Sequence, residues 1–499
     1  MHTKHYALIA AMASLLALPN AEAVVSTSPD QPVLAQIPVD QLIIKLRVPA
    51  KPSAAAVGAE ALRQIDAASG IPITMVRTMS GGELVVKVAR AVPAATLRDY
   101  AKRLAQSPLV EYAEPDVLMQ PHFVPPNDPL FGANVQWPLY APPGAPAGEP
   151  VSMGGANFVG AWNRISVSPA IVAVIDTGVL PNHVDLAGRL LPGYDLVFNA
   201  TLAGDGDGFD PNPADPGTGG SIIVNGNLLN CVSNWHGTFV AAQIGANSQN
   251  ATGMTGANRK ANILPIRALG KCGLGFTSDI ADAIRWAVGA PVPGATNNPP
   301  ANKARVINLS LGGEEVCGPT MQNAINTALA ASPAVTVVVS AGNSTKSAAL
   351  FSPANCAGVI TVAASTATAN AASYSNFGAP VAICAPGGDS AGPVRSASDT
   401  GTFAATNSNT YTNMWGTSMA APHVSAAASL MLGLRTLAWT SVKNILQQTA
   451  RPCPSGTTCN ATTCGSGLLN VGAAVNHPSL TKIVNVGGSV EQSPAVYRN

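Results

Sequence analysis

From residue 170 onward, short apolar runs alternate with longer stretches of helical periodicity. The short runs, at 171–175, 263–268, 305–309 and 335–339, are rich in Val, Ile and Leu, as is typical of strands buried on both faces. The helical stretches lie at 281–288, 321–331 and 418–434. This alternation predicts an α/β fold with a mostly parallel sheet between two layers of helices. The active site of such a sheet lies at the carboxyl ends of its strands.

A different rhythm covers residues 41–118. Strand patterns at 41–48, 73–79, 83–88 and 110–118 are interleaved with helical patterns at 54–68 and 96–106. The resulting order, β-α-β-β-α-β, is that of a ferredoxin-like α+β unit. A Pro-rich joint at 121–129 follows it, so the sequence predicts two domains.

The first 23 residues have the pattern of a secretory signal peptide. Lys4 and His5 precede an apolar run at 7–18, and Ala21-Glu-Ala23 forms an A-x-A cleavage site. The run is too short to span a bilayer, and the alternative interpretation is a buried core helix. We expect a secreted protein with no membrane association after signal removal, ending in a tail of weak periodicity at 477–499.

Charge and cysteine content narrow the class of protein. Charged residues make up 11% of the 499 residues and the net charge is +1, so no basic surface is expected to recruit nucleic acid. Eight cysteines in an exported chain favour disulfide bonds.

Three short segments carry candidate chemistry. They are Val172-Ala-Val-Ile-Asp176, His236-Gly-Thr-Phe-Val240 and Gly416-Thr-Ser418-Met-Ala. A serine hydroxyl needs a base to accept its proton and a third group to orient that base. Asp176, His236 and Ser418 are the residue types for these roles, and they occur in the order Asp, His, Ser. The serine context lacks the Gly-x-Ser-x-Gly elbow of α/β-hydrolases, which disfavours an esterase or lipase.

With these motifs the chain resembles the secreted bacterial-type subtilisin-like serine proteases. The resemblance implies a subtilisin-like three-layer sandwich at 126–476, preceded by an inhibitory propeptide at 24–125 that is cleaved during maturation. It also implies hydrolysis of protein or peptide substrates through an acyl-enzyme intermediate. The sequence departs from the family pattern at Phe239, where a second His is usual, and at Ala242, where Gly is usual. Two alternatives remain: a catalytically silent, peptide-binding relative, and a permanent N-terminal domain in place of a propeptide.

The same resemblance assigns further site residues. It makes Asn343 the side-chain donor of the oxyanion hole, with the Ser418 N–H as the second donor. Three small-residue segments are expected to contact an extended substrate: Ser310, Leu311 and Gly312; Leu269 and Gly270; and Ser340, Ala341 and Gly342. Because the Ser340–Gly342 wall is small and uncharged, we expect an apolar or broad preference.

Carboxylates are unusually dense just before the His motif. Asp205, Asp207, Asp210 and Asp215 lie within eleven positions, a density that favours either a bound hard cation or a solvated loop. Similar loops in subtilisin-like proteases bind calcium, so structural Ca²⁺ is expected there. A second, weaker calcium site is predicted from Asp185 and the loop around Asn250.

The positions of the cysteines along this exported chain suggest two disulfide bonds. Cys231 and Cys272 bracket the His motif and the next strand, and Cys317 and Cys356 flank the Asn343 region. Pairing among Cys384, Cys453, Cys459 and Cys464 stays open, and Cys384 could equally be a buried free thiol.

Overall fold

The computed structural model describes residues 39–47, 54–116, 125–132, 135–145, 148–162, 170–224 and 226–480. The expected signal peptide, residues 121–124 of the Pro-rich joint and most of the expected tail lie outside the described residues. The chain divides into two compact units, Met1–Met119 and Gln120–Asn499.

The first unit is a four-stranded antiparallel sheet with two helices. Its elements follow the predicted order: β1 (Val39–Leu46), α1 (Ala54–Ser69), β2 (Ile73–Thr78), β3 (Leu84–Val92), α2 (Ala94–Leu104) and β4 (Val110–Pro115). The strands lie side by side in the order β2-β3-β1-β4. Leu42 and Ile44 from β1 and Leu97 from α2 are completely buried in a core of this unit's own residues. The unit therefore has an independent hydrophobic core.

The second unit begins with short helices and then alternates strands and helices. Its elements are α3 (Pro129–Gly132), α4 (Phe158–Trp162), β5 (Val172–Asp176), β6 (Tyr194–Asp195), α5 (Ala200–Ala203), β7 (Gly220–Val224), β8 (Asn227–Cys231), α6 (His236–Gly245), β9 (Ile263–Arg267), α7 (Thr277–Ala287), β10 (Val306–Leu309), β11 (Gly313–Glu314), α8 (Pro319–Leu329), β12 (Thr336–Ser340), β13 (Phe351–Ser352), β14 (Ile360–Ser365), β15 (Val381–Pro386), β16 (Val394–Ser398), β17 (Thr410–Met414), α9 (Thr417–Leu434), α10 (Trp439–Gln448), α11 (Ala461–Cys464) and α12 (Val471–Val475).

Seven of these strands form a parallel sheet in the order β15-β14-β12-β10-β5-β9-β6. Side chains alternate between its two faces: Val172 and Val174 join one core with residues of α6, α9 and α10. Ala173 and Ile175 join the other core, with residues of α7 and α8. The sheet is thus the middle of three layers, and the predicted α/β sandwich is confirmed.

Strand β5 occupies the switch point of this sheet. Along the chain, β9 adds to one side of β5 and β10 to its other side. Connections that diverge in this way leave a crevice beyond the carboxyl ends of the strands. Asp176 is the last residue of β5 and therefore lies at that crevice.

Helix α9 crosses the middle of the molecule and is buried along nearly its whole length. Its residues are mostly Ala, Ser and other small side chains, so it packs closely against α6 and the strands of the sheet. Within the described residues, no helix has the length and apolarity needed to cross a membrane.

Two hairpins were not anticipated from the sequence. One pairs β7 with β8, and the other pairs β16 with β17. The first carries a signal that could have revealed it, because Asn225-Gly226 lies between two apolar runs and this dipeptide favours tight hairpin turns. The second is built from Ser, Thr and Asn with no clear alternation, so its sequence resembles a loop.

Candidate active site

The partly buried His236 is hydrogen-bonded to the buried Asp176. His236 Nδ1 lies 2.8 Å from Asp176 Oδ1 and 2.9 Å from Oδ2. The Asp176 carboxylate is inaccessible to solvent, and its Oδ1 also accepts from the Thr177 N–H. Because a carboxylate can only accept, His236 carries its proton on Nδ1. The neutral imidazole therefore presents Nε2 as a free base.

Close packing of the residues on either side of His236 fixes the orientation of its ring. Trp235, just before it, has a left-handed backbone with φ of 56°, and its buried indole donates to the Gly401 carbonyl. A Cβ at Gly237, just after it, would lie 2.1 Å from the Gly178 carbonyl oxygen, so only glycine fits. The first turn of α6 is therefore held against the end of β5.

Asp215 is a second buried carboxylate beside this pair. Its Oδ2 accepts from Thr177 Oγ1 at 2.8 Å, and the same hydroxyl accepts from the Gly237 N–H at 3.1 Å. Its Oδ1 accepts from the Gly217 N–H. Burial raises the pKa of Asp215 to about 6. This carboxylate was expected in the calcium set, but its contacts join it to the His236 turn instead.

The pKa of His236 reflects opposing effects. Burial alone lowers the pKa of the imidazole, but the charge and hydrogen bond of Asp176, together with the charge of Asp215, outweigh it. The net pKa is raised above the ordinary 6.5. A base strengthened in this way suits proton abstraction from a hydroxyl.

Ser418 lies in the first turn of α9. The N–H groups of this turn have no helical carbonyl to bind, and the helix dipole favours negative charge beside them. Ser418 Oγ donates to the Ser310 carbonyl at 3.1 Å, and among the hydrogen bonds of the described residues none joins it to His236. Catalytic hydrogen bonds of ligand-free enzymes are often long and tighten only when substrate binds.

Asn343 is held with its amide nitrogen free. Its Oδ1 accepts from both the N–H and the hydroxyl of Thr417, at 2.8 and 2.9 Å. Since the Thr417 N–H can only donate, the oxygen must face it, and Nδ2 points away. Asn343 is exposed, and its Nδ2 has no partner among the described residues. The Asn343 Nδ2 donor is therefore held beside the Ser418 turn.

Comparison with known proteins agrees with this geometry. Residues 168–476 match the model of the Subtilase family. The chain belongs to the subtilase family. The family match contains Asp176, His236, Asn343 and Ser418, and the enzyme is accordingly a serine endopeptidase of the subtilisin type.

The relatives of this subtilase include bacterial extracellular proteases. It is 39% identical over 420 residues to the extracellular protease of Xanthomonas campestris pv. campestris, covering 83% of this chain and 68% of that protein. It is 34% identical to the extracellular basic protease of Dichelobacter nodosus, covering 78% of this chain and 64% of that protein. A solved structure of a protease from Pseudoalteromonas arctica is 39% identical with a TM-score of 0.63, over 71% of this chain and 99% of that one.

The segments expected to contact substrate all follow strands of the parallel sheet. Leu269 and Gly270 follow β9, Ser310 to Gly312 follow β10, and Ser340 to Gly342 lie at the end of β12. The sheet therefore brings them to the same edge as Asp176. Packing within the chain also requires glycine at position 270, because a Cβ there would lie 2.0 Å from the Leu202 carbonyl oxygen.

The acidic loop gathers a different carboxylate set from the one predicted. Asp195, Asp205 and Asp210 have carboxylate oxygens within 4.8 Å of one another, whereas Asp207 is exposed outside this group. The Arg267 guanidinium is bonded to Asp195 and Asp205. When all three carboxylates are ionised, the one guanidinium leaves 3 − 1 = 2 negative charges. Burial raises the pKa of Asp195 to about 7, although the charge of Arg267 opposes this.

The weaker calcium candidate is hydrogen-bonded within the chain. Asp185 Oδ1 accepts from Asn250 Nδ2, and Oδ2 accepts from Tyr411 Oη and the Met254 N–H. Asn250 Oδ1 in turn accepts from the Thr252 N–H. The structure thus brings Asp185 and Asn250 together, and a calcium ion at this place stays a prediction.

All eight cysteines of the subtilase are paired. The bonds are Cys231–Cys272, Cys317–Cys356, Cys384–Cys464 and Cys453–Cys459. The first two are the expected pairs, and the last two settle the pairing that the sequence left open. Cys384 is therefore not a free thiol, and the proximity of Cys453, Cys459 and Cys464 reflects disulfides rather than a metal site.

We expect the His236 imidazole to titrate above its ordinary pKa of 6.5, and Asp176→Asn to lower its pKa, because the carboxylate charge stabilises the protonated ring. NMR titration of the ring C–H signals measures both. His423 is an internal control, because its pKa is lowered by burial to about 4 and it does not contact Asp176. A His236 pKa that is unchanged in Asp176→Asn would contradict the assignment.

Proposed function

We propose that this subtilase is a secreted endopeptidase that hydrolyses peptide bonds through Asp176, His236 and Ser418. The observation that carries the proposal is the bond between His236 Nδ1 and Asp176, which leaves Nε2 free as a base. Ser418 Oγ is bonded to the Ser310 carbonyl, just after β10 in the same sheet. The intact set of Asp176, His236, Asn343 and Ser418 disfavours a catalytically silent, peptide-binding relative.

Acylation uses these groups in turn. Ser418 Oγ leaves the Ser310 carbonyl and transfers its proton to His236 Nε2 as it bonds to the substrate carbonyl carbon. The carbonyl oxygen becomes an oxyanion, which accepts hydrogen bonds from Asn343 Nδ2 and the Ser418 N–H. Asp176 stabilises the imidazolium, which then gives its proton to the leaving amine as the C–N bond breaks.

Deacylation repeats the steps with water as the nucleophile. His236 Nε2 accepts a proton from water as its oxygen bonds to the acyl carbon, and then returns a proton to Ser418 Oγ as the ester bond breaks. The acid product leaves with the enzyme restored. Because the base must be neutral, activity should decline as the pH falls through the raised pKa of His236.

Substrate is proposed to bind as an extended strand between two segments of the sheet edge. Leu269–Gly270 follows β9 and Ser310–Gly312 follows β10, the strands on either side of β5. Main-chain pairing binds peptides without reading their sequence. The small, uncharged wall of Ser340, Ala341 and Gly342 favours apolar or varied side chains beside the scissile bond.

The N-terminal unit is proposed to be a removable inhibitor and folding aid. It has a complete core of its own, separate from the unit that carries the candidate site. The second unit depends on parallel pairings between strands far apart in sequence, a topology that folds slowly. Four disulfides and the named extracellular relatives support export of the chain. We therefore expect the N-terminal unit to be removed outside the cell.

Calcium is proposed to bind the group of Asp195, Asp205 and Asp210. Hard divalent cations prefer carboxylate oxygens, and the two negative charges remaining beside Arg267 match one such cation. When bound, calcium would supply charge neutralisation for the buried Asp195 and stability for the loop at 205–210. It has no role in the chemical steps.

Ser418→Ala should abolish hydrolysis and leave the precursor uncut. Without the nucleophile, only about 10³–10⁴ over the uncatalysed rate remains, from binding and the oxyanion hole. Peptide hydrolysis and precursor size, followed in a protease-free host, measure both effects. Labelling by a serine-directed phosphonate should occur in the parent and be lost in the variant. Normal maturation of the variant would refute the assignment.

Chelation should lower the thermal midpoint of the mature enzyme, because a ligand bound only by the folded state stabilises it by mass action. Calorimetry with EDTA or with millimolar calcium measures this. Asp210→Asn should abolish the calcium effect, whereas Asp207→Asn, in the same loop but outside the carboxylate group, should retain it. Identical melting curves with and without calcium would be evidence against the site, and equal loss in both variants would return Asp207 to the ligand set.

Residues 127–499 expressed alone should be mostly inactive, and adding a 24–120 fragment in trans should restore activity. The reason is that the parallel sheet would fold slowly without its template. Recovery of peptidase activity after refolding measures the effect, and N-terminal sequencing of active enzyme should begin between Gln120 and Asn134. An active enzyme that begins at Val24 would instead mean a permanent N-terminal domain.

A further inference from the structure

A gap in the hydrogen bonds of α9 lies at the candidate nucleophile. In an α-helix the carbonyl of residue 418 would accept from the N–H of residue 422, but Pro422 has no N–H. The Ser418 carbonyl accepts instead from Ser310 Oγ at 2.8 Å. The position of Ser418 is therefore fixed partly by a side chain from outside its own helix.

The Ser310 hydroxyl is itself oriented by a buried amide. Asn308, in β10 and completely buried, donates from Nδ2 to Ser310 Oγ at 3.0 Å. Asn308 Oδ1 accepts from the hydroxyl of Ser425, also completely buried, at 2.8 Å. The connection runs from the third turn of α9 to strand β10 and back to the first turn of α9.

Chemistry allows one direction along this chain of hydrogen bonds. The Ser418 carbonyl can only accept, so the single Ser310 proton goes to it. Ser310 Oγ must then accept from Asn308, which turns the amide nitrogen toward Ser310 and the amide oxygen toward Ser425. In this orientation the Ser425 hydroxyl, which can either donate or accept, donates to Asn308 Oδ1 and gives the buried amide oxygen its partner. Without that hydroxyl the amide oxygen is left unpaired there, and rotation of the amide toward Ser310 would take the Ser310 proton away from Ser418.

We propose that Ser425 and Asn308 are positioning residues that hold the nucleophile Ser418 in place through Ser310. The inference rests on the proposed function, because it assigns Ser418 as nucleophile. Neither residue reaches the sheet edge where substrate is proposed to bind. Ser425 departs from the usual behaviour of a helical serine, which binds a carbonyl of its own helix.

Ser429 provides a matched control one turn further along α9. It is also completely buried and also bonded to an asparagine, since Asn258 Nδ2 donates to its Oγ at 2.7 Å. Its own proton goes to the Ala426 carbonyl within the helix. Ser429→Ala therefore removes a buried hydroxyl from the same helix and leaves the hydrogen bonds from Ser425 to Ser418 intact.

The experiment compares steady-state peptide hydrolysis by the two variants. Ser425→Ala should lower kcat by roughly tenfold to hundredfold with KM little changed, because a small displacement of a reacting group is enough for such a loss. Ser425→Thr, which restores a hydroxyl, should recover kcat. Ser429→Ala should lower thermal stability and leave kcat unchanged. The acid limb of the pH profile should not move in any variant, because the contacts of His236 are intact.

Equal kcat in the Ser425→Ala and Ser429→Ala variants would overturn the proposal, as would a change confined to thermal stability. If Ser425→Ala does not fold, an atomic-resolution structure of the parent enzyme decides. An Asn308 nitrogen facing Ser310 supports the chain, and an oxygen facing it refutes the chain. Failure of the proposed function is distinguishable, because it would appear as retained hydrolysis in Ser418→Ala.

Discussion

The bond between the buried Asp176 carboxylate and His236 imposes the main constraint on the centre of this fold. Burying a carboxylate is costly unless donors surround it, so the chain must bring N–H groups to the end of β5. Thr177 supplies one from the adjacent peptide and His236 supplies the other. The close contact at Gly237 is the backbone consequence, since α6 can approach β5 only where no Cβ intervenes.

The proposed nucleophile, Ser418, depends on a second arrangement, in which small residues allow α9 to lie deep in the second unit. A helix buried on all sides can carry polar groups only where each finds a partner. Ser425 and Ser429 find theirs in asparagines of neighbouring segments, and His423 Nδ1 faces the Met419 carbonyl. The bonds to Ser425 and Ser429 tie α9 to its neighbours, so the small-residue pattern and the polar residues together position Ser418.

How much the sequence predicts depends on whether the information is local. Strands β5, β9, β10 and β12 lie within a residue or two of their expected positions, because continuous apolar runs are typical of strands buried on both faces. The triad residues were recognisable because each motif is short and distinctive. Asp195 was missed as a partner of Asp210 because strand pairing, not spacing, brings the two together across 15 residues. The bond between Cys384 and Cys464 spans 80 residues and depends on where β15 and α11 meet.

Asp215 shows why local density of carboxylates is an unreliable guide to a metal site. Its pKa is raised by burial from 3.8 to about 6. A folded-state pKa above the unfolded value means that the folded state holds the proton more tightly. Stability is therefore lost as the pH rises from about 4 to about 6, and at neutral pH the cost is on the order of 3 kcal/mol. The Asp215 carboxylate stays buried despite this cost. It orients the Thr177 hydroxyl, which accepts from the Gly237 N–H next to His236, and it adds negative charge near the imidazole. Energetically unfavourable groups that persist beside a reactive centre are characteristic of functional sites. These contacts lead us to propose that Asp215 supports the base.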